Sequence, residues 1–86
     1  MTEREFISQA KQQVAKLRNT RIMDKPPISE DNISLVWFNY TLGNMKCLAI
    51  TSDMDGTYYE ITYRKEKSVM YIDFYKKNNH LEVNVD

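Results

Sequence analysis

The first stretch of the chain spaces its apolar residues as an amphipathic helix does. The apolar positions are Phe6, Ile7, Ala10, Val14 and Leu17. This spacing follows the 3.6-residue period and places these side chains on one stripe. Thr2 and Glu5 match a capping box, which satisfies backbone donors at a helix start. We therefore predict an amphipathic helix over about residues 2–18.

A loop is predicted over residues 19–32. Pro26 and Pro27 follow Lys25. Proline lacks a backbone donor and disfavours helical backbone in the residue before it. Either Asn19 or this proline run ends the helix, and the segment then crosses to a sheet.

From Ile33 onward the pattern changes to apolar runs separated by short polar turns. The candidate strands are residues 33–42, 45–52, 57–65 and 68–76, with 81–85 as an additional candidate. Gly43-Asn44 and Asp55-Gly56 tolerate the positive φ of hairpin turns, and Glu66-Lys67 is the third turn. We predict an α+β fold in one small domain, residues 1–86. One N-terminal amphipathic helix packs on a four- to five-stranded antiparallel meander sheet.

Pairing across these turns predicts which strand residues share a face. A two-residue turn at Gly43-Asn44 places Trp37 opposite Ile50, and one at Glu66-Lys67 places Ile61 opposite Ile72. An even-length middle turn keeps Leu48 on the face of Ile61. The face predicted to lie under the helix comprises Leu35, Trp37, Leu48, Ile50, Tyr59, Ile61, Tyr63, Met70, Ile72 and Phe74.

Strict alternation leaves a second face that one helix cannot cover. It is predicted to comprise Val36, Phe38, Tyr40, Cys47, Ala49, Tyr58, Glu60, Thr62, Tyr71, Asp73 and Tyr75. Exposed aromatic patches mark interaction sites. The candidate partner-binding residues are therefore Phe38, Tyr40, Tyr58, Tyr71 and Tyr75. The alternative is that these tyrosines only fill the sheet, because tyrosine has high β-propensity.

Charge adds an asymmetry that the totals conceal. The 86 residues hold 12 Lys+Arg and 12 Asp+Glu. Residues 1–25 hold six basic and three acidic side chains, whereas residues 26–60 hold one basic and five acidic. Either the basic helix is a solvated face, or it steers the protein toward an acidic partner.

No motif for catalysis, metal binding or cofactor binding is found in the sequence. The single cysteine, Cys47, cannot form an internal disulfide or a multi-cysteine metal cage. The Asp53–Gly56 turn lacks the ligand order of a calcium loop, because Thr62 stands where a glutamate is needed. Glu60 and Asp73 are carboxylates on one face, but no accompanying motif assigns them acid–base work. We expect a non-enzymatic protein with no cofactor and no metal.

The sequence also predicts a cytoplasmic protein without a membrane partner. Its longest apolar run, Leu35–Phe38, is far shorter than the roughly 20 residues that span a bilayer. The charged start of the chain leads into no apolar segment of the signal-peptide kind.

Several strings in the chain resemble one known family. They are Glu5-Phe6-Ile7 with Ala10-Lys11, Val36-Trp37 with Thr41-Leu42, the run 55–63, and Tyr71-Ile72-Asp73 with Tyr75-Lys76-Lys77. In this order they resemble short proteins of unknown function encoded by phages and prophages of Gram-positive bacteria. The resemblance extends to about Lys77, and Gly56–Glu60 is its most specific part. It implies an accessory phage product acting inside a bacterial host, of a kind that often binds host or phage proteins and includes inhibitors of host defence.

These observations give two hypotheses of different class. The first is a non-enzymatic protein-binding module that uses the uncovered aromatic face, in a homodimer or with a host or defence protein as its partner. The second is a single-stranded nucleic-acid binder that stacks bases on the tyrosines. Glu60 and Asp73 on the same face repel phosphates, which makes nucleic acid the alternative.

Overall fold

The computed structural model describes residues 1–85, and Asp86 lies outside the described residues. One helix, α1 (Glu3–Arg21), precedes four strands: β1 (Ile33–Thr41), β2 (Asn44–Thr51), β3 (Thr57–Arg64) and β4 (Val69–Lys76). Short 3₁₀ turns occupy Glu30–Asn32 and Lys65–Lys67. The strands pair in the order β1-β2-β3-β4, all antiparallel. The predicted α+β class and meander sheet are confirmed.

Helix α1 starts as predicted and ends later. Thr2 Oγ1 accepts from the Glu5 amide at 3.1 Å, and Glu5 Oε1 accepts from the Thr2 amide at 2.9 Å, which completes the capping box. The helix continues to Arg21 rather than ending near residue 18. Asn19 does not terminate it, because its side chain instead bonds both backbone groups of Ile28 at 2.9 Å. The asparagine thereby fastens the crossing loop to the helix.

The β1–β2 hairpin differs from the prediction in turn and register. Its central residues are Leu42 and Gly43, with φ of 52° and 85°, and positive φ at both positions is the requirement of a type I′ turn. Trp37 therefore pairs with Leu48, not with Ile50. A β-bulge at Val36 adds one residue to β1 and changes which side chains after it face the helix.

The loop between β2 and β3 reverses the predicted faces of β2. It runs from residue 52 to residue 56, an odd number of residues where an even turn was expected. A one-residue slip sends every side chain of a strand to the opposite face. Cys47 and Ala49, predicted to point outward, are buried under α1. Leu48 and Ile50 lie on the other side, so their predicted place beneath the helix is wrong.

The observed register of β1 corrects the predicted face of two candidate site residues. After the bulge, Phe38 pairs with Cys47 and Tyr40 with Met45, on the side that α1 covers. The Phe38 ring lies 6.1 Å from the Phe6 ring. The prediction that Phe38 and Tyr40 belong to the uncovered face is wrong, as is the prediction that Trp37 lies under the helix.

The β3–β4 pairing confirms its predicted register. Tyr59 pairs with Phe74, Ile61 with Ile72 and Tyr63 with Met70. The connection is a 3₁₀ turn followed by Ser68 in the left-handed region at φ 50°. This longer connection keeps the same pairing as the expected two-residue turn because it adds one residue on each side.

The hydrophobic core lies between α1 and strands β1 to β3. Its buried residues are Phe6, Ala10, Val14, Ala15, Ile33, Met45, Cys47, Ala49, Tyr59, Ile61 and Tyr63. The β4 strand extends past the helix, and its Phe74 is 47% exposed. The guanidinium carbon of Arg21 lies 4.4 Å from the centre of that ring. A cation–π contact therefore covers part of what the helix leaves open.

The candidate fifth strand is not present. Residues 77–85 carry no strand, and Leu81, Val83 and Val85 are 84%, 64% and 75% exposed. The Lys77 amide donates to the Gly56 carbonyl at 3.0 Å. This bond continues the β3–β4 ladder past Lys76, so the chain does not turn back at once onto the free edge of β4.

Candidate protein-binding face

The side of the sheet away from α1 is the candidate site, and we call it the outer face. Alternating burial in β2, β3 and β4 places the even positions of β2 and β3 and the odd positions of β4 there. Among residues 1–85, no helix or strand lies over this side. The outer face comprises Ser34, Val36, Trp37, Asn39, Thr41, Asn44, Lys46, Leu48, Ile50, Tyr58, Glu60, Thr62, Arg64, Val69, Tyr71, Asp73 and Tyr75.

Three of the five candidate residues from the sequence lie on the outer face. Tyr58, Tyr71 and Tyr75 are there, 40%, 46% and 44% exposed. Phe38 and Tyr40 are on the helix side. The structure does not bring the five together, and it adds three apolar residues that pattern reasoning had placed under the helix, namely Trp37, Leu48 and Ile50.

The apolar part of the outer face extends from β1 to β4, and Ile50 of β2 and Tyr58 of β3 line one groove within it. The Tyr58 and Tyr75 rings stack with centroids 5.1 Å apart and planes at 24°. On the opposite edge strand, Trp37 is 46% exposed beside its pair Leu48. Such a surface, aromatic with an aliphatic centre, has the composition of protein interface cores.

Carboxylates and one lysine divide the outer face by charge. Glu60 lies opposite Asp73, a pairing of like charges that destabilises a sheet when nothing compensates it. Lys46 Nζ lies 3.8 Å from Glu60 Oε1. The Glu60 carboxylate raises the pKa of Tyr75, with smaller contributions from desolvation and Asp73. A tyrosine hydroxyl is neutral at physiological pH, so that of Tyr75 can donate a hydrogen bond.

The two halves of the outer face differ in charge. The β1–β2 half holds the apolar residues and the cation Lys46, whereas the β3–β4 half holds the tyrosines and both carboxylates. Arg64, at the far end of β3, is already paired, since its Nη2 lies 2.9 Å from Glu66 Oε1. The β1–β2 half thus carries one cation, which itself lies 3.8 Å from Glu60, and the β3–β4 half carries two carboxylates.

The buried ion pair of the chain lies away from the outer face and fastens two loops to α1. Arg18 forms a bidentate pair with Asp53, with Nε–Oδ2 and Nη2–Oδ1 both at 2.7 Å, and their side chains are 2% and 7% exposed. Arg18 Nη1 also donates to the Pro26 carbonyl at 2.8 Å, and Thr51 Oγ1 donates to Asp53 Oδ2 at 3.1 Å. This network joins α1, the crossing loop and the β2–β3 loop. Sequence reasoning missed it because the partners are 35 positions apart.

A buried thiol and an open groove lie outside this network. Burial raises the pKa of the Cys47 thiol to about 11, which keeps it protonated and unreactive at neutral pH. An open groove near the start of α1 brings Arg4 and Lys11 close to Glu30 and Asp31, a mixed-charge surface above Ile7. Within residues 1–85, no group of three or more His, Cys, Asp or Glu side chains is placed to hold a metal ion.

Comparison with known proteins identifies the family. The model of a family of unknown function, DUF6275, matches residues 7–85. The chain belongs to the DUF6275 family. The region matched to DUF6275 contains all four strands, so the whole outer face lies within the family's domain. Neither the curated proteins nor the solved structures contain a match to this DUF6275 chain.

No helix within residues 1–85 is long and apolar enough to cross a membrane.

Proposed function

We propose that this chain is a non-enzymatic protein-binding module whose binding surface is the outer face. One observation carries the proposal: a helix covers one side of the sheet, while Trp37, Tyr58, Tyr71 and Tyr75 stand 40–46% exposed on the other. Contiguous exposed apolar patches on a small domain are typical of interaction sites.

The shape of the outer face supports a macromolecular partner. Strands about 4.8 Å apart and about 3.3 Å per residue give this four-stranded face an area of about 500 Å². A broad surface with aromatic and aliphatic residues at its centre and charged residues between them resembles one side of a protein–protein interface.

The proposal also covers the biological setting in which the protein acts. The strings between Glu5 and Lys77 that resemble phage and prophage proteins support an accessory phage product in the cytoplasm of a bacterial host. In that setting, a stoichiometric binder inhibits a host or defence protein by covering a surface that the target needs.

A single-stranded nucleic acid is the second candidate partner. The stacked, exposed Tyr58–Tyr75 pair favours it, because aromatic rings on an open sheet can stack on bases. Glu60 and Asp73 beside that pair disfavour it, because a phosphate backbone is repelled there. We therefore favour the protein partner.

A matched pair of tyrosine variants tests the proposal. Tyr71→Ser removes an outer-face ring that is 46% exposed, and Tyr40→Ser removes a helix-side ring that is 52% exposed. Both variants should keep the wild-type circular dichroism spectrum. In quantitative affinity capture from bacterial lysate, a protein retained by wild type and by Tyr40→Ser should be retained less by Tyr71→Ser. It should be lost with the double variant that carries Tyr58→Ser and Tyr71→Ser.

Three results would count against the proposal. One is equal retention by all variants, and another is loss with Tyr40→Ser alone, since either places binding away from the outer face. The third is retention of a single-stranded oligonucleotide in a gel shift at low salt, where electrostatic binding is strongest. That result, if abolished by Tyr58→Ser, would establish the nucleic-acid alternative.

A further inference from the structure

We propose that a second copy of this chain occupies the outer face, in a two-fold dimer whose axis runs parallel to the strands. This inference rests on the proposed function and names one partner for the same surface. Such an axis places β1 of one copy over β4 of the other, and β2 over β3. Each apolar, lysine-bearing half then covers a tyrosine- and carboxylate-bearing half.

Charge complementarity selects this arrangement. Lys46 in β2 comes to lie over β3 of the second copy, near the height of Thr62 and Glu60, because Lys46 pairs with Thr62 and Leu48 with Glu60 within one sheet. Lys46 Nζ already lies 3.8 Å from Glu60 Oε1 of its own chain. In the dimer the same lysine lies between that carboxylate and Glu60 of the second copy, which its side chain is long enough to reach diagonally across the interface. Each dimer therefore gains two copies of the same favourable contact, as an isologous interface requires.

The other two-fold arrangement is disfavoured by the same charges. An axis running across the strands places each strand over its own copy. Glu60 and Asp73, already adjacent on β3 and β4, would then face a second set of the same carboxylates. Like charges brought together at an interface act against association.

The area of the outer face sets the strength of the dimer. Two faces of about 500 Å² bury roughly 1,000 Å² in total, the lower limit for a specific interface. Interfaces of this size are weak and exchange readily, so the dimer should dissociate in the micromolar range. A tighter partner could displace the second copy, which keeps the dimer compatible with binding to another protein.

Trp37 reports on this association without a label. It is the only tryptophan of the chain and is 46% exposed on the outer face. In the dimer it lies over β4 of the second copy. Its fluorescence emission should therefore shift to shorter wavelength as protein concentration rises.

Charge reversal at two positions gives the decisive experiment. Lys46→Glu and Glu60→Lys each replace attraction by repulsion, and each should weaken dimerisation by about tenfold or more in sedimentation velocity. An equimolar mixture of the two variants should form a heterodimer. In that heterodimer the introduced glutamate of one chain faces the introduced lysine of the other, and the native Lys46 and Glu60 face each other at the second contact.

Two further variants complete this experiment. The double variant carrying both Lys46→Glu and Glu60→Lys should dimerise within about threefold of wild type, because attraction returns at both contacts with its sign exchanged. Lys16→Glu makes the same charge change on α1, away from the outer face, and should have no effect on dimerisation.

The outcomes separate this inference from the proposed function. A wild-type chain that stays monomeric to high micromolar concentration overturns the dimer, as does a dimer that neither single variant weakens or that mixing the variants fails to restore. The tyrosine-dependent capture described above does not require a dimer. The dimer can therefore fail while the outer face still binds another protein. A dimer insensitive to outer-face changes overturns this inference alone, whereas capture that survives Tyr58→Ser together with Tyr71→Ser counts against the proposed function.

Discussion

Replacing Asp53 by asparagine should lower the free energy of unfolding more than removing a carboxylate from an exposed ion pair does. The substitution keeps the shape of the side chain but removes the charge that pairs with Arg18 at 2.7 Å. The guanidinium is 2% exposed, so water cannot compensate for the missing carboxylate. Breaking a buried pair on one side typically costs roughly 3–5 kcal/mol.

The hydrogen bonds that Arg18 keeps in the variant reduce the expected loss of stability below that range. Arg18 still donates to the Pro26 carbonyl at 2.8 Å and to Asn19 Oδ1 at 3.0 Å. We therefore expect Asp53→Asn to lower the free energy of unfolding by roughly 2–3 kcal/mol. For a domain of this size that corresponds to a fall in melting temperature of about 10–20 °C.

The effect should also depend on pH. The hydrogen bonds from Arg18, and then from Thr51, lower the pKa of Asp53 from its ordinary value of 3.8. A carboxyl group whose pKa is lower in the folded state contributes stability above the unfolded pKa. That contribution is lost as the pH falls through the folded value. The wild type should therefore begin to lose its advantage over Asp53→Asn as the pH falls below about 3.8, and lose it fully once the pH is below the lowered pKa of the folded state.

Urea denaturation at neutral and acidic pH measures both quantities. Glu66→Gln is the matched control, because Glu66 pairs with Arg64 on the surface and such pairs contribute about 0–1 kcal/mol. A loss for Asp53→Asn no larger than that of the control would refute the buried network. So would a difference from wild type that is unchanged by acid.

Three further predictions concern stability and reactivity. Cys47, 0% exposed and with a pKa raised to about 11, should resist a thiol reagent in the folded protein at pH 8 and react on unfolding in urea; fast reaction of the folded protein would show that the thiol is accessible. Gly43→Ala should lower the urea midpoint by an amount equivalent to about 1 kcal/mol, because its φ of 85° disfavours a Cβ; an unchanged midpoint would argue against this turn. Truncation after Lys77 should leave the melting temperature within about 2–3 °C, because residues 78–85 are exposed; a larger loss would show that the tail packs on the domain.

Local signals were sufficient for the helix and for one hairpin. Thr2 and Glu5 specify the helix start through their own side chains, and the stripe of Phe6, Ala10 and Val14 needs no tertiary information. The β3–β4 register follows from the alternation of Ile61 and Ile72 in their strands. In these segments pattern and structure agree because the deciding contacts are short-range.

The faces of β1 and β2 could not be predicted by the same means. Strand β2 alternates two sets that are both apolar enough to be buried, Cys47 and Ala49 against Leu48 and Ile50. Burial of the smaller set follows from the length of the β2–β3 loop, which Arg18 holds through Asp53. The bulge at Val36 likewise leaves no mark in the apolar pattern.

The corrected faces change the composition of the candidate site. The outer face loses Phe38 and Tyr40 and gains Trp37, Leu48 and Ile50. Glu60 and Asp73, which were predicted to share a face, lie directly opposite each other in the β3–β4 pairing. In the proposed dimer Lys46 of one copy faces the carboxylates of the other, and this arrangement follows only from the observed register.

Hydroxyl-radical footprinting during association tests the role of the outer face most directly. The chain carries an internal control, because Tyr71 on the outer face and Tyr40 on the helix side are 46% and 52% exposed. As protein concentration rises through the micromolar range, labelling of Tyr71, Tyr58 and Trp37 should fall while labelling of Tyr40 stays constant. Protection of Tyr40 with unchanged labelling of Tyr71 would contradict the assignment of the outer face as the binding surface.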